Sequence, residues 1–136
     1  MKTFIKRLVK GDDLKSAIQK IASEEEMTAG CILNAVGSLS EMRLRTDATN
    51  GIEIIKDFGK VEIVSLIGTI GEYGKHVHLH LSGADKEANV FGGHLVEGCV
   101  VHTTVELMIL DFDEYRFLSE VDPLTGFKEL SVKNNS

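Results

Sequence analysis

Four of the five histidines in this 136-residue chain fall within one stretch, "KHVHLHLSGADKEANVFGGHL", Lys75 to Leu95. Three of them alternate, His76, His78 and His80, and the fourth, His94, follows two glycines. Side chains on a strand alternate between faces. His76, His78, His80 and Ser82 therefore share one face, and Val77, Leu79 and Leu81 form the apolar side that seeks the core. A His-x-His pair sets two imidazoles about 7 Å apart at the backbone, from where both rings can converge on one cation. By itself such a pair is also compatible with solvated or hydrogen-bonded histidines. His94 adds a third nitrogen, because a glycine pair permits close backbone approach and a loop folding back over the sheet would carry His94 to the same ion. Three protein nitrogens with a fourth position open is the pattern of a catalytic divalent site. Zinc is the first choice; nickel, iron and manganese also accept imidazole.

The segment after Cys99 obeys the same alternation. Cys99, Val101, Thr103, Val105, Leu107 and Ile109 fall on one face, and His102, Thr104 and Glu106 on the other. If this strand pairs beside Val77 to Leu81, His102, Thr104 and Glu106 border the histidine site. Glu106 is then the expected general base, or the group that orients a ligating imidazole; otherwise it is a solvated strand residue.

The elements that must position these groups read as follows. Thr3 to Val9 alternates as a strand, with Lys2, Lys6, Arg7 and Lys10 on both faces as on a solvated edge. Asp12 or Asp13 caps a helix whose apolar positions Leu14, Ala17, Ile18, Ile21 and Ala22 recur at helical spacing, and Gly30 is the expected left-handed stop. The segments "CILNAVGSLSEMRLR", "GIEIIKDF", "KVEIVSLIGTI", "HVHLHLSGA", "GCVVHTTVELMIL" and "EYRFLSEV" read as strands, and "VDPLTGF" as a turn before a short closing strand. The expectation is a single α+β domain over residues 1–136, with one mostly antiparallel sheet and one main helix in the N-terminal half. One helix cannot cover both faces of a broad sheet, so an oligomer is expected.

Composition narrows the function classes. Hydrophobic residues at 43% and charged residues at 26% describe an ordinary globular chain rather than a disordered one. Charges interrupt "MKTFIKRLVKGDD" every few residues, which leaves no apolar run long enough for a signal peptide or a membrane span; with Cys31 and Cys99 far apart and unpaired by motif, an intracellular, cytoplasmic protein with two buried thiols is expected. A net charge of −6 argues against a dedicated polyanion binder. "GTIGEYG" lacks the spacing and the Lys-Ser/Thr of a phosphate loop, and "SGAD" lacks a strand-turn-helix elbow and reads as a turn.

"GKVEIVSLIGTI" followed by "HVHLHLSGADKEANVFGGHLVEGCVVHTTVEL" closely resembles the plants-and-prokaryotes-conserved (PPC) domain family, and the likeness extends to the closing "TGFKEL". Val61 stands where the family often has an aromatic residue, and Gly83 where leucine is common; neither departure touches the histidines. The resemblance implies a compact α+β domain assembling as a homotrimer. In plants the domain follows an AT-hook, the source of the DNA-binding description given to many prokaryotic relatives. This sequence has no Arg-Gly-Arg-Pro core of such a hook. Similarity in fold also links the family to acetolactate decarboxylase, a zinc enzyme with a His-x-His pair and a third histidine, whose matching positions here are His78, His80 and His94. The expectation is therefore a homotrimer with a divalent metal on His78, His80 and His94, flanked by His76, His102 and Thr104. It binds a small molecule or acts on one as a lyase or hydrolase, without strong sequence-specific nucleic-acid binding. The alternative is a DNA-associated or protein-interaction module whose histidines are structural.

Overall fold

The charge-interrupted alternation at the N-terminus forms an edge strand, β1 (Lys2–Val9), in a computed structural model that describes residues 1–135. The helix α1 (Leu14–Glu24) begins at Asp13, whose Oδ2 accepts from the Ser16 backbone N–H at 2.9 Å and satisfies one of the orphan donors of the first turn. Its Oδ1 accepts from the Gly98 N–H at 2.8 Å and so ties the helix start to the chain entering β8 (Val100–Asp111). Leu14, Ile18, Ile21 and Ala22 are buried, as their helical spacing requires.

Gly30 does not end the helix. The left-handed residue after α1 is Glu26, with φ 54°, and Gly30 lies inside β2 (Ala29–Glu41). A Cβ on Gly30 would sit 2.5 Å from the Leu110 carbonyl oxygen, so this glycine serves the close approach of β2 to β8. The remaining strands are β3 (Arg43–Asp47), β4 (Ile54–Asp57), β5 (Val61–Gly71), β6 (His76–Ala84), β7 (Val90–Leu95), β9 (Tyr115–Val121) and β10 (Lys128–Asn134).

Eight strands pair antiparallel in the order β1-β8-β2-β5-β6-β7-β3-β4, and β9 with β10 makes a separate two-stranded sheet. The α+β class with one helix holds, but the single sheet does not. The turn at Pro123 folds β10 back on β9, and the Phe117 N–H of β9 donates to the Thr28 carbonyl just before β2, which docks the hairpin apart from both edges of the large sheet. The stretch 91–95, expected as a loop, belongs to strand β7.

One face of the large sheet packs on the helix: Leu66, Ile70, Leu79, Leu81, Leu107 and Ile109 join Leu14 and Ile18 in the buried cluster. Cys99 belongs to this core, where burial pushes its thiol up to about 11, whereas Cys31 is half-buried and outside the cluster. Thr103 is exposed despite sharing parity with Val101 and Val105, its N–H turned to the Ser38 hydroxyl. Among the described residues no helix is long and apolar enough to cross a membrane.

The other face of the sheet is not covered by the helix. Ile5 on β1 pairs with Met108 on β8, and Val36 on β2 pairs with Glu106; Ile5, Val36 and, on β5, Ile67 are 73%, 54% and 60% exposed. Burying apolar surface of this extent is worth about 25 cal/mol per Å2, and the single chain leaves that gain unused.

Candidate metal centre

Strand register assembles the histidines. His80 on β6 is directly paired with His94 on β7, Ile67 on β5 is directly paired with His80, and Arg45 on β3 is directly paired with His94. Directly opposed residues project to the same side, so Ile67, His80, His94 and Arg45 form a row across four strands on the helix-free face. His78 joins the row from two positions along β6. The Gly92–Gly93 pair allows this: a Cβ on Gly93 would stand 2.8 Å from the Arg45 carbonyl oxygen, so any larger residue would push β3 away from β7.

The ring centroids of His78 and His80 are 5.2 Å apart, those of His78 and His94 5.3 Å, and those of His80 and His94 5.7 Å. One ligating nitrogen from each ring lies within 4.8 Å of the others. Like-type aromatic rings that cluster without stacking, each able to present a lone pair to a shared point, suit a small divalent cation bound at about 2.0–2.1 Å per nitrogen. Burial, then the Arg45 guanidinium and the neighbouring imidazoles, push His94 down to about 4; burial, His78 and Arg45 lower His80 as well. An imidazole kept neutral at physiological pH keeps its lone pair available for a metal.

His76 has a different environment. It shares the parity of His78 and His80 but is 5% exposed, its Nε2 2.9 Å from the Thr69 hydroxyl and its Nδ1 2.6 Å from the Ser119 hydroxyl of β9. Among the described residues it is the only histidine whose ring nitrogens have hydrogen-bond partners in the protein. Burial, followed by the charge of His78, lowers its pKa. It adjoins the cluster without belonging to it.

The pairing of β8 beside β6 does not occur. β2 and β5 lie between them, so His102, Thr104 and Glu106 stand three strand spacings away, about 14 Å at the usual interstrand distance. Glu106 pairs with Arg7 on β1 and Val36 on β2, which corrects its placement as a general base bordering the histidines within the same chain. The groups that do border them are Arg45, Lys75 and Ser119, which line a cleft with His76, His78 and His94. Arg45 is separated from His94 by some fifty residues of sequence, and nothing in the spacing pointed to it.

The sequence profile of the Plants and Prokaryotes Conserved domain matches residues 1–113. The chain belongs to this family. The β9–β10 hairpin lies beyond the matched span. The chain is 39% identical over 133 residues, 98% of its length, to part of the bifunctional protein GlmU of a Synechococcus strain, and 28% identical over 108 residues, 75% of its length, to AT-hook motif nuclear-localized protein 10 of Arabidopsis thaliana. It spans 20% and 30% of those two relatives' lengths. Its fold matches that of a hypothetical protein of Salmonella enterica with a TM-score of 0.92 at 29% identity, covering 99% of this chain and 95% of that one. A metal-containing protein from Archaeoglobus fulgidus shares the fold at a TM-score of 0.82 and 24% identity, over 96% of this chain and 94% of that one.

Proposed function

We propose that this family member holds one divalent cation, zinc in the first instance, between His78, His80 and His94, and offers it to a small molecule in the adjoining cleft. The observation that carries the reading is the convergence of three ligating nitrogens within 4.8 Å on a sheet face where none of the described residues hydrogen-bonds them. The description of the Archaeoglobus relative as metal-containing supports it. A cation so held supplies Lewis acidity at an open coordination position. His78, His80 and His94 hold it, and the side chains around the cleft bind and orient what approaches. Elemental analysis of protein stripped with chelator and reloaded tests the reading. One equivalent of metal per chain, lost on replacing His78 and His80, is the expected result; protein that reloads no metal refutes it.

The chain is proposed to work as a cytoplasmic homotrimer. Exposed apolar residues run across β1, β8, β2 and β5 up to the histidine row, and a closed three-fold ring would bury them. Sedimentation equilibrium at micromolar concentration should return three times the 14.9 kDa chain mass; a monomer would overturn this.

DNA association is the other reading, and the named AT-hook of the Arabidopsis relative is what favours it. This chain has a net charge of −6, so duplex binding should be weak and vanish as salt rises. Nanomolar binding to one duplex at physiological salt against excess competitor would restore that reading.

A further inference from the structure

We infer that the cleft beside the histidine cluster takes a small carboxylate anion, with the carboxylate on Arg45; the inference rests on the metal reading for what holds the ligand's other end. The cleft measures about 440 Å3, a size suited to a small molecule, and is walled by β3, β6, β7 and the β9–β10 hairpin. Three cationic side chains line it, Arg45, Lys75 and Lys128, against one carboxylate, Glu129. Glu129 is held by its own turn, accepting from the Thr125 hydroxyl at 3.1 Å. Lys75 and Lys128 have no carboxylate within ion-pair distance among the described residues. With Glu53, the ion-pair partner of Arg45, counted as well, the cleft keeps an excess of cations in a chain of net charge −6.

Arg45 is the anchor. Its position opposite His94 in the β3–β7 pairing sets it in the histidine row, and at 29% side-chain exposure it is better shielded from solvent than either lysine. Its Nη1 meets Glu53 Oε1 at 3.1 Å, and the other donors of the planar fork have no partner among the described residues. A planar fork of N–H donors suits a carboxylate in a way that a lysine's point charge does not. Phe127 and Leu130 supply apolar walls, which fit the carbon skeleton of a small acid better than a bare inorganic ion.

Isothermal titration of zinc-loaded protein with glycolate, its neutral analogue glycolamide and inorganic phosphate tests the inference, with zinc content measured on the same samples. Glycolate should bind about tenfold or more tightly than glycolamide. Arg45→Gln should abolish that preference while zinc stays stoichiometric, and Lys128→Gln should reduce it several-fold. Should Arg45→Gln fail to fold, the Lys75→Gln/Lys128→Gln pair carries the test through the same loss of preference. Equal binding of glycolate and glycolamide, an unchanged preference in the variants, or a preference for phosphate over glycolate overturns the inference and leaves the metal reading standing. If the protein takes up no zinc, the metal reading falls; an Arg45-dependent glycolate preference in the zinc-free protein would then still support the cationic cleft, and its absence would overturn that too.

Discussion

His76 and His78 stand two residues apart on the same strand and the same face, yet one is buried and hydrogen-bonded at both ring nitrogens while the other is exposed and has no partner among the described residues. The difference comes from what lies over each. Ser119 of the β9–β10 hairpin reaches His76 and turns it into a strut between β6 and β9, whereas the cover stops short of His78, His80 and His94. A histidine whose nitrogens are satisfied by hydroxyls contributes to stability; one that converges with two others and has no partner is disposed to bind something.

The largest effect should come from breaking the unbonded set. His78→Ala/His80→Ala should remove stoichiometric metal entirely, while the unfolding free energy of the metal-free protein moves by no more than about 0.5 kcal/mol, as for exposed sites. Elemental analysis and urea unfolding check both halves, and full metal content in the double variant would mean the ligands lie elsewhere.

Acid should come next. His94 is held at about 4 and His80 is also lowered, so both stay neutral below the ordinary imidazole value of about 6.5. In the metal-free protein the unfolded chain binds more protons between those limits, so stability is full above about 6.5 and falls as pH drops toward about 4. Urea midpoints at pH 7 and pH 4.5 should show the decline, and His94→Gln should flatten it; an equal slope in that variant would remove His94 as its source.

Replacing the strut should have a smaller effect of a different kind. His76→Ala should cost about 1–3 kcal/mol of stability, the range for leaving partly buried hydroxyls unpaired, with metal content retained. Metal loss without destabilisation would reverse the roles assigned to the two histidines.

The smallest effects belong to β8. Glu106→Gln and His102→Ala should leave metal content unchanged and stability within about 0.5 kcal/mol, because two strands separate β8 from the site. Loss of metal in either variant would mean that β8 reaches the site from a second copy of the chain.

Much of this was legible in local pattern. Period-two alternation marked β6 and its apolar side, and Leu79 and Leu81 are buried as it required. Helical spacing and the Asp12–Asp13 pair marked α1 and its start, and the structure puts the cap at Asp13. The role of a glycine was less legible: Gly30 reads as a helix stop in sequence, and only the neighbouring β8 backbone makes it a close strand contact instead. "VFGGHL" has too few β-branched residues to announce a strand and becomes one because β6 and β3 flank it.

Alternation along one strand was enough to set His78 and His80 on a shared face, and the glycine pair pointed to His94 as a third imidazole, because both signals are properties of the local backbone. Which strands lie side by side was decided only by the tertiary structure. Pairing order depends on long-range burial and loop closure, to which a residue's near neighbours in sequence contribute little, and it set β2 and β5 between Glu106 and the histidines, brought Arg45 opposite His94, and placed Ser119 over His76.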